Sequence, residues 1–283
     1  MFGQSFIVRG AFITQTEFDE GVRFSQFRHA LRLWLAKRLA RQRLNQTFLF
    51  SGQANPTIMK ARTVWGELLA VTGNVYLRLQ KARSEVLPRK CWLLWECEIA
   101  KAMGRSIRIS SNGKAIERDF FQGQTLAAVL HDRGQSSGQD AALRRASKAL
   151  RELHGLSMDV AGSVWHLSHG DATCHNVLID SERHAAEWID FDMRHRLDLS
   201  KVERHADDLR ALMFSSCSMV PSPDRGTVAR VLMESYGTVE VLDCFKSHIE
   251  RCRIPTAFEL AQGPLISRDF RRLRSFILNL STS

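Results

Sequence analysis

The chain has 283 residues, with 40 Lys and Arg against 30 Asp and Glu and a formal net charge of +10. A hydrophobic content of 44% with 17 Gly and 6 Pro is ordinary for a globular protein and excludes intrinsic disorder as the main state. No run of about 18 apolar residues is present, which excludes a transmembrane helix. The first ten residues lack the apolar core of a secretory signal, and no cysteines form a C-x-x-C pair, so we expect a cytoplasmic protein with reduced thiols.

The positive charge is concentrated in one segment. Between Gly21 and Gly66 there are nine Lys and Arg and no Asp or Glu. Within this segment residues 24–44 carry apolar side chains at three- and four-residue steps, which predicts an amphipathic helix. The apolar positions are Phe24, Phe27, Leu31, Trp34 and Leu35.

Three interpretations of this helix stay open. It lies on an anionic membrane surface, it neutralises nucleic-acid phosphates, or it packs on the rest of the protein with its charges in water. We favour the membrane over nucleic acid, because an aromatic and aliphatic stripe has more to bury there. Residues 23–44 are then a candidate contact with the inner face of the cell membrane, and peripheral attachment there is the alternative to a purely cytoplasmic location.

After this helix the pattern changes period, which predicts strands in the first half of the chain. The predicted elements are, in chain order, strands Glu67–Val71 and Val75–Leu79 around a turn at 72–74, a helix Trp92–Met103 that ends at Gly104, and strands Ile107–Ile109 and Ala115–Phe121 around Ser111–Gly113. Later segments predict helices at Thr125–Leu130 and Ala141–His154, separated by a loop at 134–139, and a mostly helical chain from about residue 196. Strands early and helices late predict an α+β fold.

The most informative segment carries three polar anchors beside short apolar strands. His169-Gly170-Asp171 is followed by Asn176 and the strand Val177–Ile179, and after a turn at 180–184 comes Asp190-Phe191-Asp192. Such a hairpin holds Asp171, Asn176 and Asp190 at fixed ends of neighbouring strands. Phosphoryl transfer needs that arrangement, because one carboxylate must orient the attacking hydroxyl while a carboxylate and an amide hold Mg²⁺ against nucleotide phosphates.

The spacing H-G-D-x-x-x-x-N followed by I-D-F-D resembles the catalytic loop and metal motif of the protein-kinase-like superfamily. HGD in place of HRD, and no glycine after D-F, resembles its atypical bacterial branches: the lipopolysaccharide-core Kdo/heptose kinases, the aminoglycoside and choline phosphotransferases and, more loosely, small atypical kinases associated with tRNA modification. The resemblance implies a bilobal fold and the cofactors ATP and Mg²⁺. It implies that Asp171 is the catalytic base, that Asn176 and Asp190 are metal ligands, and that His169 supports the loop.

The same resemblance implies a phosphate-binding cation, with a helix glutamate to hold it. Val75–Leu79 resembles the strand of the cation, which makes Arg78, or Lys81 if the strand slips, the candidate. Glu96, with Glu98 as the second choice, resembles the glutamate, and Asp119 lies in a segment that resembles the hinge against the adenine. No G-x-G-x-x-G loop is present, so Ser51–Gln53 and Thr63–Gly66 are the candidates for covering the phosphates.

Together these observations predict an N-terminal basic extension (1–50), a nucleotide-binding lobe (51–119) and a catalytic helical lobe (120–283). The predicted function is an ATP- and Mg²⁺-dependent phosphotransferase that acts on a hydroxyl acceptor. The resemblance and the basic segment favour a lipid-linked sugar of the lipopolysaccharide inner core. A protein kinase or small-molecule kinase is the alternative, and a pseudokinase binding module, suggested by Arg78 in place of lysine, is the rival from another class. The segment Arg204–Leu209 resembles a helix whose acid supports the catalytic loop, or is a capped helix start.

Overall fold

The computed structural model describes residues 6–8, 11–13, 44–50, 56–132, 136–160, 162–252 and 255–280. The helix predicted over residues 24–44 lies outside this part of the chain, apart from its last residue. The candidate phosphate-covering segment at 51–53 also lies outside it. Contact of residues 23–44 with a membrane therefore stays a prediction.

The first half of the described chain is rich in strands. These strands are β1 (Phe6–Val8), β2 (Ala11–Ile13), β3 (Asn45–Phe50), β4 (Thr57–Arg62), β5 (Ser84–Val86), β6 (Ile107–Ile109) and β7 (Ala115–Asp119). Four of them form an antiparallel sheet in the order β3-β4-β7-β6, and β1 pairs with β2. The predicted β6–β7 hairpin is confirmed, and Gly113 in its turn has φ +65°, a conformation that glycine adopts without strain.

The segment after β4 is a helix, α1 (Val64–Leu79), so the two strands predicted at Glu67–Val71 and Val75–Leu79 are wrong. The Thr63 hydroxyl caps this helix by accepting from the Gly66 N–H at 2.8 Å. One face of α1 packs on β5 and buries Ala70 and Leu77, whereas the opposite face is apolar and exposed. Because apolar residues lie on both the buried and the exposed face of the helix, the sequence contains continuous apolar runs that resemble strands.

The helix predicted at 92–103 is confirmed as α2 (Arg89–Ala102), which packs against β6. The later helices are α3 (Leu126–His131), α4 (Ser136–Gly155), α5 (Lys201–Met219), α6 (Arg225–Tyr236), α7 (Val239–Arg251), α8 (Ala257–Gln262) and α9 (Ser267–Asn279). The loop predicted at 134–139 is wrong in its second part, since α4 begins at Ser136. The predicted mostly helical C-terminal region is confirmed.

Helix α5 is the centre of this helical region. Every residue from Arg204 to Cys217 is buried, and α5 packs on α3, α4, α6, α7 and α8. Its first turn is closed by a capping box, in which Ser200 and Glu203 exchange side-chain and backbone hydrogen bonds, an arrangement that satisfies two otherwise free N–H groups. The helix therefore forms a rigid base for the loops above it.

One short strand precedes α3, and five more lie between α4 and α5. They are β8 (Gln124–Thr125), β9 (Ser157–Val160), β10 (Ser163–His166), β11 (Val177–Asp180), β12 (Ala185–Trp188) and β13 (Met193–His195). The predicted hairpin around 180–184 is confirmed as β11–β12, with Val177 opposite Trp188. Strand β13 pairs with β5, which ties the helical region to the strand-rich one.

The predicted α+β class is thus confirmed: a β-rich N-terminal region precedes a helical C-terminal region, and the kinase-like bilobal arrangement stays a prediction. The domain limits at 50/51 and 119/120 stay predictions, and β3 pairs with β4 across the first of them. In the described part of the chain no helix is long and apolar enough to cross a bilayer.

Candidate active site

The loop between β10 and β11 brings Asp171 and Asn176 together. The Asp171 carbonyl accepts from the Thr173 N–H at 2.7 Å, and the Thr173 carbonyl accepts from the Asn176 N–H at 2.9 Å. The turn so formed allows Asn176 Nδ2 to donate to the Asp171 carbonyl at 2.8 Å and to Asp171 Oδ2 at 3.2 Å. Two residues that the motif predicted to act together therefore share one hydrogen-bonded turn.

Asp208 of α5 holds the start of this loop. Its carboxylate accepts from the backbone N–H of His169 at 2.7 Å, from that of Gly170 at 2.9 Å and from His154 Nε2 at 3.0 Å. Burial would raise the pKa of Asp208, but the neighbouring histidines His195 and His154 outweigh burial and lower the pKa to about 2. A buried, ionised carboxylate with three donors is well satisfied, and it fixes the loop to the helical base.

Neighbouring backbone restricts which residue fits at Gly170 and fixes the ring of His169. Gly170 has φ +83°, and a Cβ on it would lie 3.0 Å from the carbonyl carbon of Met193, so a larger residue would be both strained and crowded. His169 donates from Nε2 to the Ile189 carbonyl at 2.8 Å, and its ring lies 4.5 Å from that of Phe191. His169 thus links the loop to the segment after β12.

That segment carries Asp190. The Ile189 N–H donates to the Asn176 carbonyl at 2.9 Å, which places Asp190 one residue beyond the pairing of the two strands. Asp190 has φ +70°, a conformation uncommon for a residue other than glycine and frequent at functional sites. The structure therefore brings together the ends of the segments that carry Asp171, Asn176 and Asp190.

A buried lysine of β4, Lys60, forms a cluster with three carboxylates, which is called the lysine cluster below. Lys60 Nζ lies 3.2 Å from Glu96 Oε2 and 2.9 Å from Asp192 Oδ1, and it also contacts Asp190 Oδ1. The side chain of Asp190 is 41% exposed, whereas those of Lys60, Glu96 and Asp192 are below 10%. Asp190 is accordingly the carboxylate of this group that faces solvent.

The basic residue of this cluster differs from the two predicted cations. Arg78 and Lys81 lie at and just beyond the exposed C-terminal end of α1, because the strand expected to present them is a helix. In the part of the chain that the structure describes, the basic partner of Glu96 is Lys60. The Glu98 carboxylate, in contrast, pairs with exposed Lys101 on the helix surface.

Lys60 is charged despite its burial. Burial alone would lower the pKa of Lys60, but the carboxylates of Asp190, Asp192 and Glu96 outweigh it and raise the pKa above the ordinary value of lysine. Asp192 is buried beside the Asp190 carboxylate, and these two effects raise its pKa to about 7. The charged Lys60 ammonium holds the side chains of Glu96, Asp190 and Asp192 close together.

Other buried groups surround Lys60 and Asp192. Arg62, two residues along β4, reaches Asp192 Oδ1 with Nη2 at 3.2 Å, and Asn45 of β3 donates to Asp192 Oδ2 at 2.5 Å. On the other side Trp92 donates from Nε1 to Glu96, and its ring lies 5.2 Å from Lys60 Nζ, within reach of a cation–π contact. These contacts fix the side chains of the cluster in one arrangement.

Asp119 lies at the end of β7, in the segment predicted to resemble the hinge. It lines a cavity of about 300 Å³ together with Glu96, Phe121 and Phe191. The structure therefore places Asp119 on the wall of a cavity that also reaches the lysine-bearing cluster. Its contact with a nucleotide stays a prediction.

The site fits a metal ion held by few protein ligands. Among the described residues, no three or more His, Cys, Asp and Glu side chains form a metal-binding group. Asn176 and Asp190 nevertheless offer an amide oxygen and a partly exposed carboxylate, and the hydrogen bonds of Asn176 to Asp171 use Nδ2 rather than Oδ1. Oxygen donors in small number are what Mg²⁺ takes when nucleotide phosphates supply further ligands.

Lys60, Arg62 and Gln262 lie at the site but belong to no motif in the sequence. Lys60 and Arg62 are part of the basic segment, although both point to one face of β4 and are buried there. Their signal was spacing: two cations two residues apart, in a short stretch with Ile58, Met59 and Ala61, are typical of one face of a strand. Gln262 had no signal, since its partner Asp171 is 91 residues away.

No protein-family model matches the chain, and no curated protein matches it in sequence. Among solved structures the chain is similar to an ethanolamine kinase from Plasmodium vivax, with a TM-score of 0.41 and 10% sequence identity over 85% of this chain and 79% of that one.

Proposed function

We propose that the chain is an ATP- and Mg²⁺-dependent phosphotransferase with a hydroxyl acceptor. Two observations carry the proposal together. In the catalytic loop Asn176 donates a hydrogen bond to Asp171, and in the lysine cluster the solvent-facing Asp190 contacts the buried Lys60–Glu96 pair. The loop and the cluster supply a base, two oxygen ligands and a fixed cation, which are the parts that phosphoryl transfer needs.

Asp171 is the proposed catalytic base. Its carboxylate is partly buried in the loop, and burial raises its pKa above the ordinary value, an effect opposed by the hydrogen bond from Gln262. In this position Asp171 orients the acceptor hydroxyl and takes its proton as the oxygen is phosphorylated. Asn176 and Asp190 are the proposed ligands of Mg²⁺, which when bound neutralises charge on the phosphates.

Lys60 is the proposed phosphate-binding cation, in place of Arg78 or Lys81. Three carboxylates hold it in the structure, and Asp190 is the one that a metal ion can draw away, because it is also the exposed one. Glu96 and Asp192 then keep the ammonium aimed at the phosphates. Asp119 and the residues after β7 are proposed to face the adenine.

The test of this function compares wild type with Asp171→Asn. We expect Mg·ATP to bind both proteins, and transfer of labelled phosphate to fall by at least about 100-fold in the variant, because the general base is lost. Asp243→Asn, an exposed change on α7, is the matched control and keeps wild-type turnover. Equal turnover of wild type and Asp171→Asn would contradict the enzyme, and binding without turnover in wild type would favour the pseudokinase.

For the acceptor we propose a sugar hydroxyl of the lipopolysaccharide inner core. The resemblance of the motif to the Kdo/heptose kinases and the basic segment at residues 21–66 support this choice, although Lys60 and Arg62 of that segment belong to the site. Labelled ATP is offered with a lipopolysaccharide acceptor, a protein mixture and a panel of small alcohols. Preferential labelling of protein or of a small alcohol would replace this acceptor by the alternative kinases.

Exposed apolar side chains support contact with an anionic membrane. The exposed side of α1 and, separately, strand β3 carry large apolar side chains that are 43% to 81% exposed: Val64, Trp65, Leu68, Val71, Val75 and Leu79 on α1, and Phe48, Leu49 and Phe50 on β3. Patches of this kind mark interaction surfaces. Exposed Arg78 and Lys81 lie at one end of the helix, and the basic residues 23–43 join the chain at Leu44, whose carbonyl accepts from the Thr63 N–H at 3.3 Å.

Liposome flotation tests this membrane proposal. Wild type is expected to float with vesicles that contain anionic lipid, and the triple variant Leu68→Gln, Val71→Gln, Val75→Gln to float much less, because its buried apolar area is lost. Val164→Gln, an equally exposed position on β10, is the control and floats like wild type. Absence of wild-type flotation, together with a lower unfolding midpoint of the triple variant, would show instead that another part of the chain covers this face.

A further inference from the structure

The carboxylate of Asp171 is held by a side chain from near the C-terminal end of the chain. Gln262, the last residue of α8, donates from Nε2 to Asp171 Oδ1 at 2.7 Å. Asn176 donates to the other oxygen, Oδ2, at 3.2 Å. The carboxylate is therefore clamped from both sides, and the shorter hydrogen bond comes from Gln262.

The side-chain amide of Gln262 has a single orientation that satisfies its neighbours. Oε1 accepts from Nη2 of Arg210 at 2.7 Å. A guanidinium carries donors only, so the amide oxygen must face Arg210, and the NH₂ group must face Asp171. The hydrogen-bond network thus assigns the amide, and it makes Gln262 a donor to the carboxylate.

Arg210 is fixed in turn by the helical base. Its Nε donates to Asp207 Oδ1 at 3.0 Å and lies 3.6 Å from Glu259 Oε1. On the other side of Gln262 the chain is pressed onto α5, since a Cβ on Gly263 would lie 2.5 Å from the carbonyl carbon of Phe214. Gln262 itself is only 7% exposed. It is held in place before any acceptor arrives.

We propose that Gln262 is a positioning residue for the phosphoryl transfer: held by Arg210, it fixes the plane of the Asp171 carboxylate. The inference rests on the function proposed above. A carboxylate that turns about its Cβ–Cγ bond spreads its lone pairs over a wide arc, and a base that is displaced from the hydroxyl by a small distance loses rate steeply. A donor anchored on α5 through Arg210 restricts this rotation and so keeps the remaining lone pairs in one orientation.

Two variants separate positioning from packing. Gln262→Met keeps the length of the side chain and removes the amide. Gln262→Glu keeps an acceptor for Arg210, but an ionised carboxylate cannot donate to Asp171. With Mg·ATP and the best acceptor of the panel, or with water alone, we expect kcat to fall by about 10- to 100-fold in both variants and KM for Mg·ATP to stay within about twofold. Gln80→Met, at the end of α1, is the matched control and keeps the wild-type kcat.

A double variant tests whether Gln262 acts through Asp171. In the Asp171→Asn background, Gln262→Met is expected to lower kcat no further, because residues that act as a unit are not additive. Unfolding midpoints are measured for all variants. If Gln262→Met does not fold, Gln262→Glu decides, since it retains the anchor on Arg210.

The outcomes distinguish the inference from the function beneath it. Wild-type kcat in Gln262→Glu would overturn the inference, because the contact with Arg210 would then suffice. A full further loss in the double variant would overturn it too. In both cases wild type would still exceed Asp171→Asn in phosphate release. Equal release by those two proteins would overturn the phosphotransferase itself, and the role of Gln262 with it.

Discussion

The catalytic loop and the lysine cluster are two parts of one candidate site, and they are built in different ways. In the loop, Asp171 and Asn176 are five residues apart and are joined by hydrogen bonds within a single turn. In the cluster, Lys60 pairs with Glu96, which is 36 residues away, and with Asp192, which is 132 residues away. A local turn can be recognised from a short motif, whereas a cluster assembled by tertiary packing exists only once the chain has folded.

The difference is not complete, because the loop also depends on a distant anchor. Asp208 accepts from the backbone of His169 and Gly170 and is 1% exposed. We predict that Asp208→Asn lowers the free energy of unfolding by about 3–5 kcal/mol, since the change removes a buried charge from its partners. Urea unfolding measures the effect.

Asp198→Asn is the matched control for this change. Asp198 forms an exposed ion pair with Arg196 at 3.0 Å, and its loss is expected to cost less than about 1 kcal/mol. Equal effects of the two substitutions would mean that hydrogen bonds within the loop hold its conformation without Asp208. The loop would then depend on local contacts alone, in contrast to the lysine cluster, which depends on tertiary packing.

The next largest expected effect is the loss of turnover when Lys60 of the lysine cluster is replaced. Lys60→Met is expected to reduce phosphate transfer by about 100-fold or more, because a fixed cation aimed at the phosphates is lost. Arg78→Met, on the exposed end of α1, is expected to leave transfer within about twofold of wild type. The two variants are compared at saturating Mg·ATP, with the unfolding midpoint recorded for each.

The reverse result would restore the assignment made from sequence. Loss of transfer in Arg78→Met with retention in Lys60→Met would show that Arg78 reaches the phosphates in the working enzyme. Loss in both would mean that the exposed end of α1 also takes part. In either case the phosphate-binding cation, like the catalytic loop, would have been predictable from the sequence.

Particular residues show how far sequence reasoning reached. The α+β class and the strands around Asp171, Asn176 and Asp190 were predictable, because alternation and turn residues are local signals. Helix α1 was not predictable, since its apolar residues cover two faces and only one is buried. Lys60 was hidden among nine cations of one segment, and neither its burial nor its carboxylate partners are encoded within its own strand. Gln262 depends on a contact with Asp171 that packing of α8 on α5 creates.

The smallest predicted effect concerns the helical base under the loop. His205 stacks on His154 with ring centroids 3.8 Å apart and is 2% exposed. Burial and the neighbouring His154 lower the pKa of His205 to about 3, against about 6.5 in an unfolded chain. Between these values the unfolded state binds more protons, so stability is fully present above pH 6.5 and is lost as the pH falls.

From pH 6.5 to pH 5 this loss is expected to be about 2 kcal/mol. His205→Gln can still donate to the Leu167 carbonyl, which His205 Nε2 contacts at 2.9 Å, but it does not titrate, so its unfolding free energy is expected to fall less over the same range. His131→Gln, at the exposed end of α3, should keep the wild-type slope. Denaturant unfolding at several pH values measures the slope, and identical slopes in all three proteins would mean that His205 takes up its proton at the same pH in the folded and unfolded states.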